Sequence, residues 1–162
     1  MTTPEFATFL SSLIGMPVSH VWRGYGSALF LEFGNLRPTA RRDDSDGNPE
    51  GEMSLMVEWS WRIEGRRSIL CGSWSDEPKW PRAFALLRNT TVAGATLFGR
   101  LPEIELRLAN DVRVLSFMTA EGSPAWALID RRGDAPRSLY FRRSTLFIES
   151  TRGMPTTKTR DC

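Results

Sequence analysis

A single histidine, His20, sets the first limit on the chemistry this chain can perform. One imidazole cannot build a multi-histidine metal sphere or a histidine-pair proton relay. As a general base it would need a nucleophile on one side and an orienting carboxylate on the other. Cys71 is the thiol that could partner it, with Asp76 as the acid. The setting argues against that dyad. "SILCGS", residues 68–73, reads as a buried strand, where cysteine behaves as a small hydrophobe.

Acids cluster in "RRDDSDGNPEGE", residues 41–52. The segment suggests a calcium loop until its spacing is counted. With Asp44, Asp46 and Gly47 at the third, fifth and sixth positions, Arg42 falls at the first and Met53 at the twelfth. Both end ligands of an EF-hand loop are therefore missing. A solvated loop is the simpler reading, and no metal or other cofactor is expected. Phosphate chemistry has no fingerprint either, neither G-x-x-x-x-G-K-[ST] nor a strand–G-x-G-x-x-G–helix unit. "RGYG", residues 23–26, is a hairpin turn, and no G-x-S-x-G elbow is present. Glu103 and Glu105 alternate with apolar neighbours and are expected to face solvent.

Six tryptophans, among them Trp22, Trp74, Trp80 and Trp126, and arginines such as Arg62, Arg66, Arg131, Arg142 and Arg143 are the ingredients of a single-strand nucleic-acid binder. The patterning is different. Trp59 and Trp61 share a stripe with Leu55, Val57 and Ile63, which is core spacing rather than an exposed platform. The arginines fall mostly at strand ends and turns. With a formal net charge of +2, neither nucleic acid nor an anionic membrane is expected as a partner. Lys79 and Lys158 are the only lysines. The cysteines, Cys71 and the terminal Cys162, make no disulfide framework, so a reducing, cytoplasmic setting is expected. "MTTPEFATFLSSLIG" lacks the basic start of a signal peptide, and no apolar run is long enough to span a bilayer.

The elements that must position these residues follow from periodicity. The 162 residues suit one α+β domain over 1–150, mainly antiparallel β with two short helices, followed by a tail over 151–162. Thr2 and Glu5 have capping-box spacing, and Phe6, Phe9, Leu10, Leu13 and Ile14 then share a helical face that Gly15 and Pro17 end. Strands are expected at 18–22 and 27–33. Residues 35–52 form a long polar loop, either mobile or functional. "MSLMVEWSWRI", residues 53–63, is the clearest strand, and 68–74 returns beside it. "WPRAFALLRN", residues 80–89, is the second helix, with Trp80, Phe84 and Leu87 inward. Strands at 92–98, 103–109, 112–118 and 125–130 follow, and "SLYF" and "STLFIE" close the fold. An open sheet with helices on one face and a strongly curled half-barrel both satisfy this pattern.

Both halves begin helix–strand–strand, residues 4–74 and 79–150, which suggests an internal αββ duplication. Leu10 falls on Phe84, Leu13 on Leu87 and Val18 on Val92. With one extra residue in the turn, Leu29 meets Ile104, Leu31 meets Leu106, Phe33 meets Leu108 and Asn35 meets Asn110.

The run "LIGMPV", "ALFLEFG", "GEMSLMVEWSWRIE", "ILCGSWSD" and "AWALID" resembles small bacterial proteins of unassigned function, some of them similar to immunity proteins found beside toxins. The motifs are hydrophobic and turn signals and extend over most of residues 9–130. The resemblance implies a cytoplasmic α+β domain that binds a partner, and it carries over no catalytic residue.

The expected function is therefore non-enzymatic binding of another protein. The exposed residues Arg41, Arg42, Asp43, Asp44, Asp46 and Glu50 of the long loop are the expected contacts, because exposed loops on a rigid scaffold often carry function. The rival is a small-ligand or enzymatic cup with His20, Trp22, Arg23 and Tyr25 at its mouth. Homodimerisation through an edge strand is a further expectation.

Overall fold

The computed structural model describes residues 3–58, 60–122, 125–142 and 145–150. Helix α1, Pro4–Ser11, is capped by Thr3, whose hydroxyl accepts from the Phe6 amide at 3.5 Å. Thr2, the cap expected from spacing, lies outside the described residues. Phe9, Leu10 and Leu13 are buried, whereas Ile14 points outward at 54% exposure. Strands β1, Val18–Arg23, and β2, Leu29–Phe33, form the first hairpin.

The stretch expected to be one strand at 53–63 is two. β3, Met53–Val57, pairs with β2, and β4, Trp61–Glu64, belongs to a different sheet. The odd-numbered side chains Met53, Leu55, Val57, Trp61 and Ile63 are all buried on both sides of the crossing. Alternation therefore persists while the hydrogen-bonding partners change. Trp59 lies outside the described residues. β5, Ile69–Gly72, returns beside β4. A 3₁₀ turn, Glu77–Lys79, leads into α2, Trp80–Leu87, which buries Trp80, Ala83, Phe84 and Leu87. β6, Val92–Phe98, β7, Glu103–Leu108, and β8, Arg113–Ser116, form a meander. β9, Trp126–Asp130, then crosses back, followed by β10, Arg137–Arg142, and β11, Thr145–Ser150.

All pairings are antiparallel. One sheet has the order β1-β2-β3-β9-β10-β11 and the other β5-β4-β8-β7-β6. The α+β class expected from the pattern holds, but in place of one sheet there are two, whose apolar faces feed one continuous core. α1 packs beside β6, and α2 packs against β1 and β5.

The two halves follow the same connection order from the helix to the crossing strand. Each has a helix followed by three strands of one sheet, and its next strand crosses to pair with the third strand contributed by the other half. Val18 pairs with Phe33, with a register shift before His20; Val92 pairs with Leu108, with a shift before Gly94. The Trp61 indole donates to the Ser27 carbonyl at 2.6 Å, and the Trp126 indole to the Pro102 carbonyl at 2.9 Å. Each acceptor lies two residues before the first paired residue that the alignment matches, Leu29 or Ile104. The matched segments also pair with each other. Val18 N donates to Thr90 O, and Val92 N to Met16 O, around a Pro17–Thr91 bridge. Gly15 and Asn89, which fall on one another, both have left-handed backbones, with φ of 84° and 61°.

Candidate functional site

Period two places His20, Trp22, Phe30, Glu32 and Ser54 on the face of the six-stranded sheet that points away from the core. Such a face would normally be wet. Here Glu32 and Ser54 are each only 2% exposed, because the 35–52 segment folds over them. This segment is not irregular. Arg37 and Glu50 exchange backbone hydrogen bonds at 2.8 and 2.9 Å, Gly47 N donates to Thr39 O at 2.8 Å, and Arg41 N donates to Ser45 O at 2.8 Å. At its tip Asp43 accepts from the amide and hydroxyl of Ser45 and Asp44 adopts φ 60°. The Ser45 donors hold the Asp43 carboxyl below its usual range. The loop is thus a hairpin-like arm.

Glu32 ties the arm to the sheet. Its carboxylate accepts from Trp22 Nε1 at 3.0 Å, from Gly51 N at 2.9 Å and from Ser54 Oγ. Arg131, just after β9, donates to Ser54 Oγ at 2.6 Å and to Gly51 O at 3.3 Å, and its Nε lies 3.6 Å from Glu50. Arg37 holds the same Glu50 oxygen at 2.6 Å. Every charge in this layer is answered by fixed donors or acceptors, as burial requires.

Beside this polar layer lies an aromatic floor. Trp22 stacks on Phe30 with ring centroids 4.0 Å apart and 11° between planes. Gly24 makes this possible, since a Cβ there would sit 2.6 Å from the Phe30 ring. Between the floor and the arm runs an open cleft of about 640 Å³. Its rim carries Tyr25, fully exposed, and Arg23, whose guanidinium lies over the Trp80 ring at 4.7 Å and pairs with Glu77 at 2.8 Å. Arg41 and Asn48 line the opposite wall.

The two residue sets expected from sequence as rival sites therefore meet. Trp22, Arg23 and Tyr25 line the cleft together with Arg41 and Glu50. His20 does not line it; its Nε2 lies 3.3 Å from Asn48 Oδ1 and braces the arm. Arg42, Asp43, Asp44 and Asp46 form the exposed outer rim of the arm. Sequence reasoning missed Glu32, Ser54, Phe30 and Asn48, and weighed Arg131 only as a nucleic-acid contact. The outward positions of Glu32 and Ser54 carry no sign that the segment between them will fold back to cover them.

The Cys71–His20 dyad that the sequence argues against does not form, because His20 lies on the outer face of its sheet against Asn48 and Cys71 is buried in the core. Burial pushes its thiol above the usual range. One expectation is overturned, that Glu103 faces solvent. At 8% exposure it accepts from Ser116 Oγ at 2.6 Å and from the Met118 amide, which draws it under the chain after β8. Among the described residues no three His, Cys, Asp or Glu side chains converge on a metal site, and no helix is long and apolar enough to cross a membrane. No family model matches the chain, no curated protein is similar to it, and no solved structure matches it.

Proposed function

We propose that the protein is a non-enzymatic binding module that takes a segment of a partner protein into the cleft between the 35–52 arm and the outer face of β1 and β2. The convergence of Trp22, Arg23, Tyr25, Arg41 and Glu50 on one open cleft carries this reading. An exposed aromatic beside paired arginines is the usual composition of a protein-recognition surface. The acid nearest the floor, Glu32, has its carboxylate engaged by three donors, which suits it to support rather than proton transfer. An immunity-like role in a reducing, cytoplasmic compartment fits an unpaired, buried thiol at Cys71. The Trp22–Phe30 stack favours a second reading, in which a small planar ligand occupies the same cleft. We also read the two halves as copies of one αβ unit, on the matched registers, tryptophan hydrogen bonds and strand orders described above.

Two variants test the binding reading. Tyr25→Ala with Arg41→Glu changes only exposed rim groups. Deletion of residues 36–51 joins Asn35 to Glu52 in a turn as short as Asn110–Asp111. A partner protein that co-purifies with the native chain from its own cells is expected to be lost with both variants. Retention of that partner by both would refute the reading. A small molecule seen by native mass spectrometry, lost on Trp22→Ala, would establish the second reading instead.

A further inference from the structure

The outer face of the five-stranded sheet holds a second cleft, of about 360 Å³, lined by Arg66, Arg107 and Arg113 together with Asp111. Arg107 on β7 stands directly opposite Arg113 on β8. Like charges at opposed positions of an antiparallel pair repel, so the pairing calls for a counter-charge. Arg113 has one: its Nη1 donates to Glu105 at 2.9 Å. Arg66 has one too, since its Nε donates to Asp111. Arg107 has no hydrogen bond or ion pair among the described residues. Its guanidinium lies across the neighbouring strand over Gly94, where a Cβ would come within 2.6 Å of Nη2. The cleft is thus lined by three guanidinium groups and one carboxylate, Asp111; Glu105, beside the lining, answers Arg113, and the charge of Arg107 is left over.

The other half of the molecule shows how such arginines are answered when an acid is at hand. Arg131 follows β9 as Arg66 follows β4, and there the 35–52 arm brings Glu50 to both Arg131 and Arg37. At the matching place in the second half the turn is Asn110–Asp111, with no arm to deliver a carboxylate to Arg107.

We propose that this cleft is a carboxylate-binding site that takes an acidic side chain of a partner protein between Arg107 and Arg113. The forked guanidinium matches a carboxylate with two parallel hydrogen bonds, and a single carboxylate neutralises the one unanswered charge. Arg66 and Arg113 each keep N–H groups that their own acids do not use, and these supply further donors. The site is separate from the cleft under the 35–52 arm and stands whether or not that cleft binds a protein.

The test follows arginine Nε–Hε signals by NMR during titration with a blocked Glu-Gly-Glu peptide and, separately, with sodium phosphate at matched ionic strength. Saturable shifts at Arg107 and Arg113 are expected with the peptide. Arg107→Gln should weaken binding by ~10-fold or more, the size of one charge-assisted contact. Gly94→Ala keeps every charge but displaces the Arg107 guanidinium, and it should weaken binding as well; thermal melting confirms that each variant is folded. The proposal is overturned if affinity survives Arg107→Gln, if shifts are equally large at the exposed Arg82 and Arg100, or if phosphate binds and the peptide does not.

Discussion

Replacing Trp61 by alanine tests the architecture most severely. The indole is fully buried, packs edge-on against Trp80 at 5.3 Å and 74°, and touches Phe84 at 6.3 Å. Its N–H donates to the Ser27 carbonyl at 2.6 Å, which links β4 of one sheet to the turn that opens β2 in the other. Removing a buried tryptophan side chain costs about 3–5 kcal/mol from lost burial and the cavity left behind. Loss of the donor to Ser27 adds to this. Against a total stability of about 5–15 kcal/mol for an ordinary domain, the variant would sit near the limit of folding. For a chain of this size the melting temperature should fall by about 6–20 °C, at ~2–4 °C per kcal/mol. Guanidinium denaturation followed by circular dichroism reads the effect as a lower midpoint at unchanged slope. Trp74→Ala is the internal control. That side chain is 89% exposed, so its removal should change stability by no more than ~0.5 kcal/mol. Trp126 occupies the matched place in the second half, and Trp126→Ala should cost about as much as Trp61→Ala. A loss below ~1 kcal/mol for Trp61→Ala would refute the assignment of this residue to the shared core.

Two further outcomes follow from particular groups. With Cys162 replaced by serine, Cys71 should react with a disulfide reagent only as fast as the protein unfolds, because burial disfavours its thiolate; rapid reaction of the native protein near neutral pH would contradict this. The raised thiol makes a contribution to stability that is complete below the ordinary value of 9.0 and is lost as pH climbs above it. Arg132 grips Asp130 through two hydrogen bonds of 2.9 and 2.8 Å and holds its carboxyl below the ordinary value of 3.8. That contribution is complete above 3.8 and fades as pH falls through the lowered value, so Arg132→Gln should be less stable than the native chain at neutral pH and converge with it in strong acid. Parallel denaturation curves across that range would show the pair to be energetically idle.

Much of the fold was legible because short-range patterns decide it. Alternation at Ile104, Leu106 and Leu108 and helical spacing at Phe84 and Leu87 specify which side chains turn inward, whatever sheet they join. The match of Val18 with Val92 and of Leu31 with Leu106 was visible for the same reason. What alternation cannot specify is the partner strand. Residues 53–63 keep one inward stripe from Met53 to Ile63, and only the packing of two sheets breaks them between β3 and β4. The cap moved by one residue to Thr3 because neighbouring threonines offer the same chemistry, and geometry chooses between them.

The sequence by itself determined the class, the inward faces and the absence of a multi-histidine centre, since these depend on residue type and spacing along the chain. Tertiary structure alone decided which outward residues are in contact with solvent. Glu32 and Glu103 look like surface acids in the chain and are buried anchors in the fold, because segments distant from them, Gly51 and Met118, bring amide donors to their carboxylates. Tertiary structure likewise joined Tyr25 and Arg41 across one cleft and left Arg107 facing Arg113 with no acid of its own. Contacts between distant segments depend on how the sheets and the arm close over one another, which spacing along the chain does not encode.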